Sequence, residues 1–219
     1  MSKIKTNNIE IPVPSAGEFG QTGGNLFDKY GSGNPVVRYL MNGFLIAVGD
    51  LARQSGMRQI HEIGCGEGLL SIYLAQAGFD VCGCDVDAGV ISEAEKNASA
   101  AGLDVPFRVA SIYELTPAEN AAELVVCCEV MEHLDDPETA LEVLSGLAEP
   151  YLIFSVPREP LWRIANMARG KYWPRLGNTP GHVQNWSRKE FVEFLGRRLE
   201  IIRVLNPFPW TMVLARVKS

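Results

Sequence analysis

The amino-acid sequence predicts a doubly wound α/β domain, in which helices cover both faces of a mostly parallel sheet. Short apolar runs alternate along the chain with longer stretches whose apolar residues recur at helical spacing. The chain has 219 residues, of which 47% are hydrophobic, and this is enough apolar material for one sizeable core. Strand-like runs that alternate with helical stretches are typical of parallel sheets joined by helical crossovers.

The predicted elements follow one another from residue 35 onward. A leading helix is expected over residues 35–55, where apolar side chains recur at helical spacing before Gly56. Five strands are then expected at residues 58–63, 81–85, 106–109, 124–129 and 151–156. Helices are expected between them at residues 68–77, 88–101 and 137–147. These elements make up the doubly wound part of the sheet.

The last predicted elements differ from the repeating pattern. Ser187 and Glu190 have the spacing of a capping box, which predicts that a helix begins at Ser187. Two strands follow at residues 200–204 and 211–217, with a turn at Asn206-Pro-Phe-Pro between them. So short a link predicts that these two strands pair antiparallel.

Two segments stand outside the pattern. Residues 1–34 contain Pro12, Pro14 and several glycines and are expected to form a flexible N-terminal arm or cap on the domain at residues 35–219. Residues 158–186 form a long connection, which is commonly functional, and we interpret it as a substrate lid. No run approaches the roughly 20 apolar residues of a membrane span, and no secretory signal is apparent. We therefore expect a cytoplasmic protein.

Composition narrows the functional classes. A net charge of −6 argues against a broad nucleic-acid surface. The five cysteines lack the spacings of zinc or disulfide frameworks, which favours reduced and mostly buried thiols. The sequence makes no prediction of the oligomeric state.

A glycine-rich turn follows the first strand of the predicted sheet. The sequence Gly64-Cys65-Gly66-Glu67-Gly68 joins that strand to a helix, whose first backbone N–H groups can face a ligand. Asp85, followed by Val86, comes about 20 residues later at the end of the next strand, where a carboxylate can accept hydrogen bonds from ribose hydroxyls. Leu69 stands where the dinucleotide fingerprint has its last glycine, which disfavours a nicotinamide enzyme.

This arrangement resembles class I S-adenosylmethionine-dependent methyltransferases, because the first strand leads into the glycine turn and Asp85 ends the next strand. The resemblance implies a seven-stranded Rossmann-like sheet with an antiparallel last strand, and S-adenosylmethionine as cofactor. It also implies that Gly64, Gly66 and Asp85 bind this cofactor, that Glu62 holds its methionine amino group, and that the residues after the third strand flank its adenine. Those last residues are Ala110, Ser111 and Ile112.

A second cluster of polar residues follows the fourth strand. Glu129, Glu132 and His133 have the spacing i, i+3 and i+4, so one helical turn would bring two carboxylates and an imidazole to one side. With His182 they could bind a divalent metal ion such as Mn, Co, Fe or Zn. Alternatively, His133 is a general base that removes a hydroxyl proton. In a third interpretation these residues only cap a helix and bond to the backbone.

The segments EVMEHLDDP, FSVP and NPVVR resemble the O-methyltransferases of ubiquinone biosynthesis. This resemblance implies O-methylation of a small molecule, with Arg38 pairing with the methionine carboxylate and Cys128 lining the cofactor pocket. It also implies that Glu129, Glu132 and His133 hold a metal. The same cluster, completed by a distant histidine, resembles methyltransferases that modify the 3′-terminal 2′-hydroxyl of small RNAs. RNA is therefore an alternative substrate, and a cofactor-binding protein without turnover is a third alternative.

The predicted lid is basic, whereas the chain as a whole has a net negative charge. Between residues 158 and 175 there are five cations and a single acid, Glu159, interleaved with apolar and aromatic side chains. The cations are Arg158, Arg163, Arg169, Lys171 and Arg175. This pattern favours a lipidic or anionic small-molecule substrate and a peripheral membrane contact through residues 158–175. The alternative is a lid whose charges are simply solvated.

Overall fold

The computed structural model describes residues 34–218 with their side chains, and the backbone of two further strands. These are β1 (Ser2–Thr6) and β2 (Ile9–Val13), which pair antiparallel with Ser2 opposite Val13. No pattern in the sequence indicated them. The other residues of the predicted arm or cap lie outside the described part of the chain, so its flexibility stays a prediction.

Seven further strands form one sheet. They are β3 (Gln59–Ile63), β4 (Asp80–Asp85), β5 (Phe107–Val109), β6 (Ala122–Cys128), β7 (Ala148–Pro157), β8 (Leu199–Leu205) and β9 (Trp210–Val217). Their order is β5-β4-β3-β6-β7-β9-β8. The pairs among β3 to β7 are parallel, whereas β9 runs antiparallel to both of its neighbours. This arrangement confirms the predicted mostly parallel, seven-stranded sheet.

Helices cover both faces of the sheet. They are α1 (Pro35–Ser55), α2 (Leu69–Gln76), α3 (Ala88–Ala100), α4 (Pro117–Asn120), α5 (Pro137–Leu147), α6 (Leu161–Ala168) and α7 (Arg188–Gly196). The apolar faces of α1 and α2 pack with Ala98 of α3 in one buried cluster, and those of α5 and α7 pack in a second cluster. Two cores separated by one sheet are what a doubly wound fold produces.

Local sequence signals fix both ends of α1. The Asn34 side chain accepts a hydrogen bond from the N–H of Val36, and Gly56 ends the helix in the left-handed conformation, as glycine does without strain. By length and composition alone, α1 could cross a membrane, with a mean hydropathy of 1.2 over 18 residues. Its apolar side, however, lies in the first core, where Phe44 contacts Trp210 edge to face.

The predicted lid at residues 158–186 is more ordered than its sequence suggested. It contains α6, where regular structure was uncertain from the sequence, and a single 3-10 turn at Trp173–Arg175. Asn166 on α6 is almost fully buried, and its side-chain amide donates to the carbonyl oxygen of Gly177 at 2.9 Å. The buried Asn166 side chain thus ties helix α6 to the turn at Gly177 within the lid.

The parallel strands β3, β4, β5 and β6 end at a common edge of the sheet. Because the glycine turn follows β3, Asp85 ends β4, Ala110 follows β5 and Cys128 ends β6, the sheet brings the predicted site residues to that edge. Open α/β sheets bind their ligands at such an edge.

Candidate active site

The glycine turn lies between β3 and α2 in a backbone conformation that requires glycine. Gly64, Gly66 and Gly68 all have positive φ angles, of 75°, 53° and 75°. The N–H groups of Gly64 and Cys65 both donate to the carbonyl oxygen of Cys84, which fixes the turn against the end of β4. L-residues with side chains rarely adopt this conformation, so the three glycines are explained by backbone geometry alone.

Gly64 is also required for packing. A Cβ atom at this position would lie 2.3 Å from Cγ2 of Val130, which belongs to the loop after β6. The missing side chain of Gly64 therefore lets this loop approach the turn closely.

Replacing Gly64 with alanine is expected to destabilise the protein by about 2–4 kcal/mol, because the new methyl group both clashes with Val130 and strains the backbone. Urea denaturation measures this change. The double variant Gly64→Ala, Val130→Ala should recover part of the loss, because the clash is removed while the positive φ remains. Gly43→Ala is the matched control, since nothing lies within 4 Å of its added Cβ in the middle of α1. Equal stability of both single variants would contradict this account.

The carboxylate of Asp85 is held by two backbone N–H groups. One carboxylate oxygen accepts from the N–H of Gly66 at 3.0 Å, and the other accepts from the N–H of Asp87 at 3.1 Å. A carboxylate has about four lone-pair positions, so these two bonds orient it and leave capacity for a ligand. The neighbouring Val86 is 70% exposed at the same edge.

Glu62 lies on β3 just before the turn and is almost fully buried. Its carboxylate accepts a hydrogen bond from the Ser71 hydroxyl on α2. Burial raises the pKa of Glu62 to about 8, the negative charge of Asp85 contributes in the same direction, and the Ser71 bonds oppose the shift. A cationic ligand group at this position would reverse the shift by favouring the ionised carboxylate.

The residues after β5 lie beside Asp85. The N–H of Ala110 donates to the carbonyl oxygen of Asp85 at 2.9 Å. Ser111 caps the 3-10 turn Ile112–Glu114 by accepting from the N–H of Tyr113, and the side chain of Ile112 is buried in the second core. Ala110 therefore lies next to the predicted ribose-binding acid, and the adenine contact of these three residues stays a prediction.

Of the two remaining predicted cofactor-binding residues, Arg38 is exposed and Cys128 is buried. Arg38 lies in the first turn of α1 and is exposed, and its predicted pairing with the methionine carboxylate stays a prediction. Cys128 is the last residue of β6 and is buried, and burial holds the pKa of its thiol well above the usual range. A neutral thiol at this position can line a pocket without carrying charge.

The structure brings together three of the four residues of the second cluster. Ligand atoms of Glu132, His133 and His182 all lie within 4.8 Å of one another, although 49 positions in the sequence separate His133 from His182. Glu132 is 2% exposed, and its carbonyl oxygen accepts from the N–H groups of Val183 and Gln184. The lid therefore pairs with the loop after β6 through its backbone, and this pairing carries His182 to the cluster.

The ring of His133 has a defined orientation. Its Nδ1 lies 3.0 Å from the carbonyl oxygen of Gly181, and because a carbonyl only accepts, Nδ1 carries the proton in this bond. The lone pair of the neutral ring is then on Nε2. This tautomer suits both a general base and a metal ligand whose second nitrogen donates to a carbonyl.

Glu129 lies outside the cluster, contrary to the spacing argument. Its φ angle is +59°, so residues 129–133 do not form the helical turn that would have aligned Glu129 with Glu132; the 3-10 turn covers only Met131–His133. The Glu129 carboxylate instead accepts from the Ser155 hydroxyl at 2.9 Å and from the indole N–H of Trp210 at 2.6 Å.

Aromatic side chains that the sequence analysis did not assign to the site surround the cluster. Trp162 of the lid stacks on His182 with ring centroids 6.2 Å apart and lies 6.0 Å from the ring of Trp210. The His133 and His182 rings meet edge to face at 4.9 Å. Tryptophan in the lid segment was an available signal, because a buried indole N–H usually finds a hydrogen-bond partner.

Comparison with known proteins finds a family match in the middle of the chain. Residues 60–150 match the family described as "Methyltransferase domain". The ubiquinone biosynthesis O-methyltransferase of Methylococcus capsulatus is 28% identical over 155 residues, which are 64% of this chain and 65% of that protein. The protein of the same name from Alkalilimnicola ehrlichii is 32% identical over 146 residues, covering 60% of this chain and 59% of the relative. The match thus stays below two thirds of either relative's length.

Solved structures share the fold. Magnesium protoporphyrin IX methyltransferase from Synechocystis PCC 6803, solved with bound SAH, has a TM-score of 0.67 at 22% identity, covering 86% of this chain and 90% of that one. The methyltransferase domain of bacterial CtHen1-C has a TM-score of 0.66 at 21% identity, covering 82% and 100%. At these identities the likeness confirms the predicted Rossmann-like fold.

Proposed function

We propose that this chain, which carries an S-adenosylmethionine-dependent methyltransferase domain over residues 60–150, transfers a methyl group to an oxygen atom of a small molecule. The family match and the fold confirm the resemblance to class I methyltransferases that the glycine turn and Asp85 indicated. The observation that carries the proposal is the position of the Glu132, His133 and His182 cluster. Glu132 and His133 follow Val130, which packs against Gly64 of the glycine turn, and His182 joins them from the lid.

The cofactor would bind along the carboxyl ends of β3, β4 and β5. Asp85 would accept from the ribose hydroxyls, Ser111 and Ile112 would flank the adenine, and Glu62 would hold the methionine ammonium group. The exposed edge at Val86 and the half-buried Ser111 leave this side of the turn accessible. The N–H groups of Gly64, Cys65 and Gly66 are bonded within the protein, so further backbone donors for this ligand would come from the first turn of α2.

The ionisation of Glu62 predicts a pH dependence of cofactor binding. Without ligand its pKa is about 8, whereas contact with an ammonium group favours the ionised form, so binding below pH 8 releases a proton. The affinity for S-adenosylhomocysteine is therefore expected to rise by up to about tenfold per pH unit toward pH 8 and to level off above it. Titration calorimetry in buffers of different ionisation enthalpy measures the released proton. Glu62→Gln should bind without it, and identical profiles for the two proteins would contradict the assigned contact.

Methyl transfer to oxygen requires that the acceptor hydroxyl lose its proton. His133 is the proposed general base, because its Nδ1–H bond to Gly181 leaves the lone pair on Nε2. The sulfonium of the cofactor is already activated, so positioning and exclusion of water supply much of the remaining acceleration.

A divalent cation is the alternative way to prepare the acceptor. Glu132, His133 and His182 offer one carboxylate and two imidazoles, a donor set that suits Mn, Co, Fe or Zn. The bond from His133 to a backbone carbonyl is what a metal-binding histidine usually makes with its second nitrogen. When bound, the ion would lower the pKa of an acceptor hydroxyl and orient it.

The lid favours a lipidic or anionic acceptor. Arg163 and Arg169 are bonded within the lid, to the carbonyl oxygen of Leu176 and to the side-chain oxygen of Asn166. Lys171 and Arg175 are exposed next to Trp173, which is 61% exposed. This combination supports a peripheral membrane contact of a cytoplasmic enzyme through residues 158–175.

The decisive experiment is a methyl-transfer screen with radiolabelled S-adenosylmethionine. The purified protein is incubated with a lipid extract, a polar metabolite fraction or short RNA, each with and without a chelator and anionic vesicles. Label in a lipid or metabolite supports a small-molecule acceptor, and release of that label as methyl iodide under ether-cleaving conditions would assign it to oxygen. Label only in RNA would instead support terminal 2′-O-methylation, and cofactor binding without transfer to any fraction would indicate a binding protein.

A further inference from the structure

We propose that Glu129 is a positioning residue that couples the loop after β6 to the lid through two tryptophan side chains. This inference differs from the metal-binding role that the sequence resemblance implies for Glu129. Only one of its tests, the measurement of KM, depends on the proposed function.

The first step is the bond between Glu129 and Trp210. The carboxylate accepts the indole N–H of Trp210 at 2.6 Å, and its other oxygen accepts the Ser155 hydroxyl at 2.9 Å. Hydrogen bonds to a charged acceptor are about twice as strong as neutral ones. Trp210 is 3% exposed, at the first residue of β9, so this bond fixes a ring that solvent does not reach.

The backbone supports the same conclusion. Glu129 has a φ angle of +59°, a conformation that is unfavourable for a residue with a side chain. Such strain persists where the surroundings impose it and is concentrated at functional sites. Here it ends the extended course of β6, and the carboxylate bonds to Ser155 on β7 and Trp210 on β9.

The second step runs from Trp210 to the lid. The Trp162 ring on α6 lies 6.0 Å from the Trp210 ring, and its indole N–H donates to the Thr179 hydroxyl at 2.9 Å. Trp162 stacks on His182 with an angle of 24° between the rings. The carbonyl oxygen of Thr179 also accepts the N–H of His182, so Trp162 and Thr179 together define where this imidazole lies.

Glu129 thus orients His182 through Trp210 and Trp162. His182 in turn meets the His133 ring edge to face, which completes a path from the carboxylate to the proposed base. Losing the carboxylate is expected to leave the cofactor turn intact and to misplace the lid side of the site.

Nuclear magnetic resonance can test this path directly, because the chain has only four tryptophans and three histidines. In Glu129→Gln the indole resonance of Trp210 should move, and the resonances of Trp162 and His182 should move with it. His61 lies on β3 and bonds to the carbonyl oxygen of Asn120, so its resonances should stay unchanged and report an intact fold. Unchanged His182 resonances in this variant would overturn the proposal.

Two further variants establish the order of the path. Trp210→Phe keeps the packing but removes the N–H donor, so it should shift His182 as Glu129→Gln does, and the double variant should add nothing. Thr179→Val should shift Trp162 and His182 more strongly than Trp210, whose indole N–H keeps its bond to Glu129. Additive shifts in the double variant would mean that Glu129 acts on His182 by another route, and the proposal would be wrong.

Titration with Co²⁺ alone separates this role from metal ligation. If Glu129 only positions, then Glu129→Gln and Trp210→Phe should weaken Co²⁺ binding equally, by about tenfold. A loss in Glu129→Gln alone would identify Glu129 as a ligand. If no Co²⁺ binds, the resonance shifts described above decide between the two roles. Once an acceptor is known, its KM should be about tenfold higher in Glu129→Gln than in the wild type, while the affinity for S-adenosylhomocysteine stays unchanged.

Discussion

Replacing Asp85 with asparagine is expected to weaken the binding of S-adenosylhomocysteine by about 100-fold or more, because two charge-assisted hydrogen bonds to the ribose are lost or reversed. The carboxylate is already oriented by the N–H groups of Gly66 and Asp87, so the wild-type protein loses little entropy when the ligand binds. Titration calorimetry or the ligand-induced shift of the melting temperature measures the change.

The matched control is Asp87→Asn, two residues away. Asp87 caps α3 by accepting from the N–H groups of Gly89 and Val90, and asparagine is an equally good cap. This variant should keep its stability and its affinity for S-adenosylhomocysteine within about twofold. Equal affinity of the Asp85 variant and the wild type would remove the basis for the cofactor site.

Replacing His133 with asparagine is expected to lower kcat by about 1,000-fold, within the range of a lost general base, while cofactor affinity stays unchanged. Asparagine can still donate toward the carbonyl oxygen of Gly181, so the loop is expected to keep its place. A rapid-quench or steady-state methyl-transfer assay with the identified acceptor measures the loss. Wild-type turnover in this variant would show that proton removal occurs elsewhere.

His182→Asn separates the base from the metal interpretation. If a cation prepares the acceptor, this variant and treatment with a chelator should each lower turnover about as far as His133→Asn does, because one ligand or the ion itself is lost. If His133 acts alone, the chelator should have no effect, and the His182 variant should lose only about tenfold through misplacement of the lid. The two interpretations therefore predict opposite outcomes of chelation.

Much of the fold could be predicted because its signals are local. Each predicted strand of the sheet overlaps an observed one, as residues 81–85 overlap Asp80–Asp85, and the capping box at Ser187 and Glu190 is formed. Helix α6 was missed because its buried side includes a polar residue, Asn166, whose partners Gly177 and Thr179 lie more than ten residues away. A hydrophobic pattern cannot register a core contact made by an amide.

Site residues at the end of a strand could be predicted from the position of that strand. Site residues in the loop after β6 could not, because their positions depend on how the backbone turns. Asp85 follows from the position of β4 alone, and the structure places it beside the glycine turn. The grouping of Glu129 with Glu132 assumed helical geometry, which the positive φ of Glu129 prevents. The tryptophan contacts join residues 129, 162 and 210, and no sequence spacing encodes such distant partners.

The position of β9 affects how the protein acquires its active form during synthesis. This strand comes after the other six of the sheet in chain order, yet it lies between β7 and β8 and not at an edge. A ribosome therefore releases the glycine turn and the Glu132-His133 loop long before the partner of Glu129, Trp210, emerges. The glycine turn and the strands around it can begin to assemble early, whereas the lid gains its contact with Trp210 only after β9 has joined the sheet.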